Sequence, residues 1–148
     1  MQVESQILEW FEHFHKYPEV SWKEFETTKK ITEILDSLHV SYRLFDDVTG
    51  LLAEIGEGDE VIAIRADIDA LWQEVDGVYR ANHSCGHDAN ISMVLGALLL
   101  LKDEKLNKRI RFIFQPAEEK GNGANSMVDR GALEGVTHLF GVHLRPIE

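Results

Sequence analysis

Apolar side chains recur at Val3, Ile7, Phe11 and Phe14, one every three or four residues. That spacing predicts a first helix over residues 3–17. Pro18 ends it, because proline cannot continue a helix interior. Trp22, Phe25, Ile31, Leu35 and Leu38 give a second apolar face over about 22–39. Ser21 and Glu24, at the positions of an N-cap and a third helical residue, suggest a capping box at its start. The pattern then shortens. Tyr42–Phe45 and Leu51–Ile55 read as strands around a turn-forming Asp46–Gly50. After a second turn signal at Gly56–Asp59, Val61–Ile64 is a continuous apolar run, as expected of a strand buried on both faces. Residues 66–87 show no clear period and read as an irregular, functional segment.

Asp88 opens a strongly apolar helix carrying Ile91, Val94, Leu95, Leu98 and Leu99. Arg109–Gln115 reads as a strand, Gly121–Gly131 as loop plus short helix, and His138–His143 as a last strand. This order predicts an α/β sandwich around a largely buried sheet. Three of its strands run into chemistry. Val61–Ile64 leads to Asp67, Ile110–Phe114 to Glu118 and Glu119, and Leu139–Val142 to His143. Ligands of open α/β sheets sit beyond the carboxyl ends of strands, so these four residues are expected to converge.

Charge and composition narrow the function classes. The chain has 148 residues and a net charge of −11, which argues against a nucleic-acid binder or a protein docked on an anionic membrane. Cys85 is the single cysteine, so no internal disulfide can form, and a reducing, cytoplasmic compartment is expected. Met1–Trp10 lacks the basic-then-apolar pattern of a signal peptide, and the apolar run Met93–Leu101 is too short to span a bilayer.

Cys85-Gly86-His87-Asp88 concentrates the chemistry. A thiol and an imidazole two residues apart, with a flexible glycine between them, can face one point. Together with Glu119 and His143 they form a donor set suited to zinc or a similar divalent cation. Glu118 stays free to move a proton. Asp67 could hydrogen-bond a ligating histidine and fix its tautomer. The plainer reading of Asp67 and Asp69 is a pair of turn carboxylates, with Arg65 paired to one of them. Asp88 reads as the helix N-cap. His13, His15 and His39 fall on helices and read as non-ligands, His138 as structural, and His83 has no assigned role.

Five segments together resemble the M20 metallopeptidase family, in particular its amidohydrolase branch of aminoacylase-like, hippurate hydrolase-like and auxin-conjugate hydrolase-like enzymes. They are Phe14–Glu19 with Glu24 and Thr27, Arg65–Leu71, His83–Asp88, Phe114–Glu119 and Gly141–Pro146. The resemblance implies a three-layer, zinc-exopeptidase-like sandwich with a mixed sheet. It implies two divalent metal ions, zinc first, with manganese, cobalt or nickel also suited. Cys85, His87, Glu119 and His143 would be ligands, Glu118 the general base and Asp67 a supporting partner. The implied reaction is hydrolysis of the amide bond of an N-acyl amino acid, a small-molecule substrate.

The chain departs from the family at Asn90, where the branch often has a second histidine, and at Trp72, where proline is usual. It is also much shorter than family members. The resemblance therefore implies the N-terminal portion of a catalytic domain, without the inserted dimerisation and lid domain or the C-terminal part that carries a further ligating histidine. A poorly active fragment is expected, with an exposed hydrophobic sheet edge and either the rest of the enzyme or a second copy as partner. The alternatives are a non-catalytic relative that acts through interaction and, less suited to the free Glu118, a structural zinc module.

Overall fold

The computed structural model describes residues 2–144. Helices α1 (Gln2–Lys16) and α2 (Phe25–Ser37) come first, followed by strands β1 (Tyr42–Leu44), β2 (Leu51–Ile55) and β3 (Val61–Asp67). A hairpin of β4 (Leu71–Val75) and β5 (Val78–Asn82) precedes α3 (His87–Leu101). Strand β6 (Arg109–Gln115), helix α4 (Gly123–Asp129) and β7 (Val136–Gly141) complete the order.

Five strands form one mixed sheet in the order β1-β2-β6-β3-β7. The pairs β1/β2 and β2/β6 are antiparallel, whereas β6/β3 and β3/β7 are parallel. Strand alternation divides the sheet's side chains between two cores. On one face Leu51, Ala53, Ile55, Ala66, Phe112 and Phe114 pack against Trp10 and Phe14 of α1, Ile31 and Leu35 of α2, and Ile91 and Leu95 of α3. On the other face Leu52, Ala63 and Ile113 meet Met127 of α4 and Ala132. The result is the expected three-layer sandwich, thick on one side and thin on the other. The outer strand β7 leaves Leu139 and Phe140 exposed along an unpaired edge among the described residues.

Three local readings need correction. Residues 71–82, expected to be irregular, form the β4–β5 hairpin, turned at Asp76-Gly77 with both residues at positive φ (54° and 78°). Helix α2 begins at Phe25, and no Ser21–Glu24 capping box forms. Glu19 caps this helix instead, accepting from Glu26 N at 3.2 Å, Thr27 N at 2.6 Å and Thr27 Oγ1 at 2.7 Å. Ser21 and Glu24 turn inward. Ser21 Oγ donates to Asp69 Oδ2, and Glu24 accepts from Thr49 Oγ1 and Ala117 N. Lastly, the N-cap of α3 is Gly86, not Asp88. Asp88 lies in the first turn, where Oδ1 accepts from Ala89 N and Oδ2 pairs with His15 Nδ1 at 2.6 Å. Among the described residues, no helix is long and apolar enough to cross a membrane.

Candidate metal centre

Because β6, β3 and β7 are parallel, their carboxyl ends lie at one rim of the sheet, and the start of α3 meets them there. His87 is the hub. It is fully buried, and its Nδ1 lies 2.8 Å from the main-chain carbonyl oxygen of Asp69. A carbonyl can only accept, so this bond holds the proton on Nδ1 and leaves the Nε2 lone pair free. Among the described residues, Nε2 is buried without a hydrogen-bond partner. It faces three carboxylates: Asp67 Oδ2 at 3.4 Å, Glu118 Oε2 at 3.8 Å and Glu119 Oε1 at 3.8 Å. The tautomer is thus set by the Asp69 carbonyl, while the Asp67 carboxylate lies on the opposite side of the ring.

A lone pair turned towards several carboxylate oxygens calls for a cation between them. A proton can serve. Burial disfavours the charged imidazole, but hydrogen bonding to Asp69 and Cys85 and the negative charge of Asp67 outweigh it and push His87 up to about 11. A divalent ion fits the same place. Cys85, His87 and Glu119 each offer a donor atom within 4.8 Å of the others, and so do Asp67, His87 and His143. Thiolate, imidazole and carboxylate together are the donor chemistry of zinc and related transition metals. His143 has a similar arrangement: its Nδ1 is 2.6 Å from the Leu144 carbonyl oxygen, which leaves Nε2 to face a ligand, and the two rings meet edge to face at 5.3 Å.

Local backbone geometry aims these groups. Gly86 takes φ +87°, a left-handed conformation open to glycine, and so turns the chain between Cys85 and His87. After β6, Ala117 adopts φ +49°, with its N–H held by Glu24 Oε1 at 2.8 Å. The next turn packs so tightly that a Cβ on Gly123 would sit 1.6 Å from the Pro116 carbonyl oxygen. This fold-back presents Glu118 and Glu119 to the rim. Glu119 N donates to Asp69 Oδ2 at 3.0 Å. Burial, with the negative charges of Glu118, Asp69 and Asp67, raises the Glu119 pKa although His87 opposes it. Asp67 is fully buried, with Arg65 at 2.7 Å on Oδ2 and Asn90 Nδ2 at 2.8 Å on Oδ1.

All six residues singled out in the sequence, Asp67, Cys85, His87, Glu118, Glu119 and His143, therefore lie around one point. Asp69 is more than a turn carboxylate. It is buried, its carbonyl orients His87, and its carboxylate joins Ser21 to the Glu119 backbone. The Asp-x-Asp pattern after a buried strand was the available signal. His83 is buried beside Cys85, with Nδ1 3.8 Å from Sγ, and burial lowers its pKa to about 4, so it stays neutral. Neither His13, His15, His39 nor His138 belongs to either donor group. Arg145 and Pro146 of the last motif lie outside the described residues.

The chain and its fold have relatives among known proteins. The chain is 41% identical to IAA-amino acid hydrolase ILR1-like 6 of Arabidopsis thaliana over 143 residues, covering 90% of this chain and 31% of that protein. It is 40% identical to N-acetyl-L-cysteine deacetylase of Bacillus subtilis over 155 residues, covering 97% of this chain and 37% of that one. It thus spans about a third of the length of these relatives. Its fold superposes with a TM-score of 0.90 and 38% identity on the crystal structure of Bacillus subtilis YXEP, described as a dinuclear metal-binding peptidase from the M20 family. That match covers 98% of this chain and 44% of YXEP. The model of peptidase family M20/M25/M40 matches residues 63–147, more than half of the chain, including every donor at the rim. By this match over more than half of its length, and by its fold, the chain belongs to peptidase family M20/M25/M40.

Proposed function

We propose that this chain carries the metal-binding part of a metal-dependent amidohydrolase acting on N-acyl amino acids or related small amides. One observation carries the reading: the buried, unpartnered Nε2 of His87, facing Glu118 and Glu119 within reach of Cys85 and His143. The activities of two relatives, hydrolysis of IAA-amino acids and deacetylation of N-acetyl-L-cysteine, support the same bond type. Two divalent ions are expected, as described for YXEP. One imidazole lone pair serves one ion, so His87 binds one of them and the other draws on donors left free, with His143 and Cys85 in different donor groups. The thiolate of Cys85 favours zinc.

Bound at the rim, divalent ions would polarise the amide carbonyl and acidify a water molecule. The protein's part follows from its side chains. Cys85, His87, Glu119 and His143 act as ligands. Glu118 shares the same approach to His87 Nε2 but is partly exposed, so it can exchange protons with a substrate site. It takes a proton from the attacking water as the new C–O bond forms. It then gives that proton to the amide nitrogen as the C–N bond breaks, releasing a carboxylic acid and a free amine. Asp67, held by Arg65 and Asn90, sets its carboxylate 3.4 Å from His87 Nε2.

We read the 148 residues as the N-terminal portion of such a catalytic domain, and turnover by this chain alone as weak or absent. Titration with zinc or manganese, followed by incubation with a panel of N-acetyl amino acids, tests the reading. Two bound ions per chain support it. Absence of any bound ion overturns it. A second reading, a non-catalytic metal-binding interaction protein, is favoured by the exposed Leu139 and Phe140 on the edge of β7. Two ions with no turnover, even when the missing part of a relative is supplied as a separate chain, would select it.

A further inference from the structure

Asn90 is fully buried on the first turn of α3, and its amide is used at both ends. Nδ2 donates to Asp67 Oδ1 at 2.8 Å, and Oδ1 accepts from Leu144 N at 3.3 Å. Leu144 is the residue whose carbonyl holds His143 Nδ1. The chain leaving β7 is otherwise exposed from Gly141 through Leu144. Asn90 holds the Leu144 amide, and the Leu144 side chain packs over Gly86, where an added Cβ would come within 3.3 Å of it. Both anchors sit at the start of α3, directly beside His87.

We propose that Asn90 is a positioning residue that holds His143, through Leu144, in place to bind the metal ion that does not use the Cys85 thiolate. The proposal rests on the two-ion reading above. The required chemistry is specific. The side chain must donate towards Asp67 and accept from Leu144 N at once. A neutral imidazole can do both, with one ring nitrogen protonated and the other free. A leucine of similar size can do neither. An aspartate keeps the acceptor but sets a second carboxylate against Asp67. His143 and Asp67 share one donor group with His87, whereas Cys85 and Glu119 share the other. Loss of Asn90 should therefore affect one ion selectively.

The test is cobalt(II) titration of the full chain, following bound metal per chain and the near-ultraviolet thiolate-to-cobalt band that reports Cys85. Wild type is expected to take two equivalents. Asn90→Leu is expected to keep the thiolate band and one tight equivalent, and to bind the other about 10–100-fold more weakly, the usual cost of losing an outer partner of a ligand. Asn90→His is expected to recover both. Two equivalents in Asn90→Leu at wild-type affinity would overturn the proposal. So would loss of the thiolate band and both ions from Asn90→Leu, or failure of Asn90→His to recover the second ion in a chain with the wild-type circular dichroism spectrum. Fewer than two equivalents in wild type would overturn the two-ion reading and this assignment with it.

Discussion

Removing the Glu24 carboxylate should destabilise the whole domain, although Glu24 is not a donor at the rim. It is fully buried and joins three parts of the chain: the start of α2, Thr49 before β2, and Ala117 after β6. In Glu24→Ala the Thr49 hydroxyl and the Ala117 amide lose a carboxylate acceptor inside the protein. Each buried group left unpaired costs roughly 1–3 kcal/mol. Relief of the burial cost of the carboxylate itself offsets a part, so the expected loss is about 2–4 kcal/mol. Against a typical domain stability of about 5–15 kcal/mol, that is a large fraction. Glu24→Gln keeps an acceptor for Ala117 N, and the Thr49 hydroxyl can rotate to accept from the new amide, so it should lose only about 1 kcal/mol. Urea denaturation of the three proteins at pH 7 measures both. Glu24→Ala within about 0.5 kcal/mol of wild type, well under the cost of one orphaned group, would refute the reasoning. The pH dependence adds a second check. Burial raises the Glu24 pKa above 4.5 despite the hydrogen bonds from Thr49 and Ala117. The folded chain therefore binds this proton more tightly than the unfolded one. That contribution is present below 4.5 and is lost as pH rises through the folded value. Wild type should lose stability relative to Glu24→Gln over that window, and a constant difference would contradict it.

Other substitutions separate the roles at the rim. Cys85→Ala should weaken metal binding at least about tenfold by isothermal titration, and unchanged affinity would remove Cys85 from the ligand set. Glu118→Gln should leave metal content intact while lowering any amide hydrolysis by about 10²–10⁴-fold, measured in whichever assembly shows turnover. Equal activity would remove its proton-transfer role. Asp69→Ala should both destabilise the fold, by about 2–4 kcal/mol from the unpaired Ser21 hydroxyl and Glu119 amide, and weaken metal binding. Wild-type affinity in that variant would show that the Asp69 carboxylate does not steady the site.

Strand ends were the readable part of the site. Short apolar runs ending in Asp67, Glu118 and His143 carry their geometry with them, because parallel neighbours bring their carboxyl ends to one rim. The β4–β5 hairpin is not legible in the sequence because Trp72, Gln73, Glu74, Tyr79 and Arg80 are all exposed, which leaves no alternation of apolar and polar positions. Only the Asp76-Gly77 turn marked it. Ser21 and Glu24 fit a local capping pattern, yet both serve partners far along the chain, Asp69 and Ala117. Asn90 and His15 share this property. Their partners Leu144 and Asp88 lie 54 and 73 residues away, and no local spacing encodes such pairs.

The most direct test of a metal centre built on His87 is a crystal structure grown with zinc, with anomalous scattering recorded at the zinc edge. The expected result is two peaks at the sheet rim. One should lie at bonding distance from His87 Nε2, about 2.0–2.1 Å, and both should be ligated among Cys85, Glu119, His143 and neighbouring carboxylates. A proton, not a metal, on His87 Nε2, with no anomalous peak within reach of Cys85, Glu119 or His143, would contradict it.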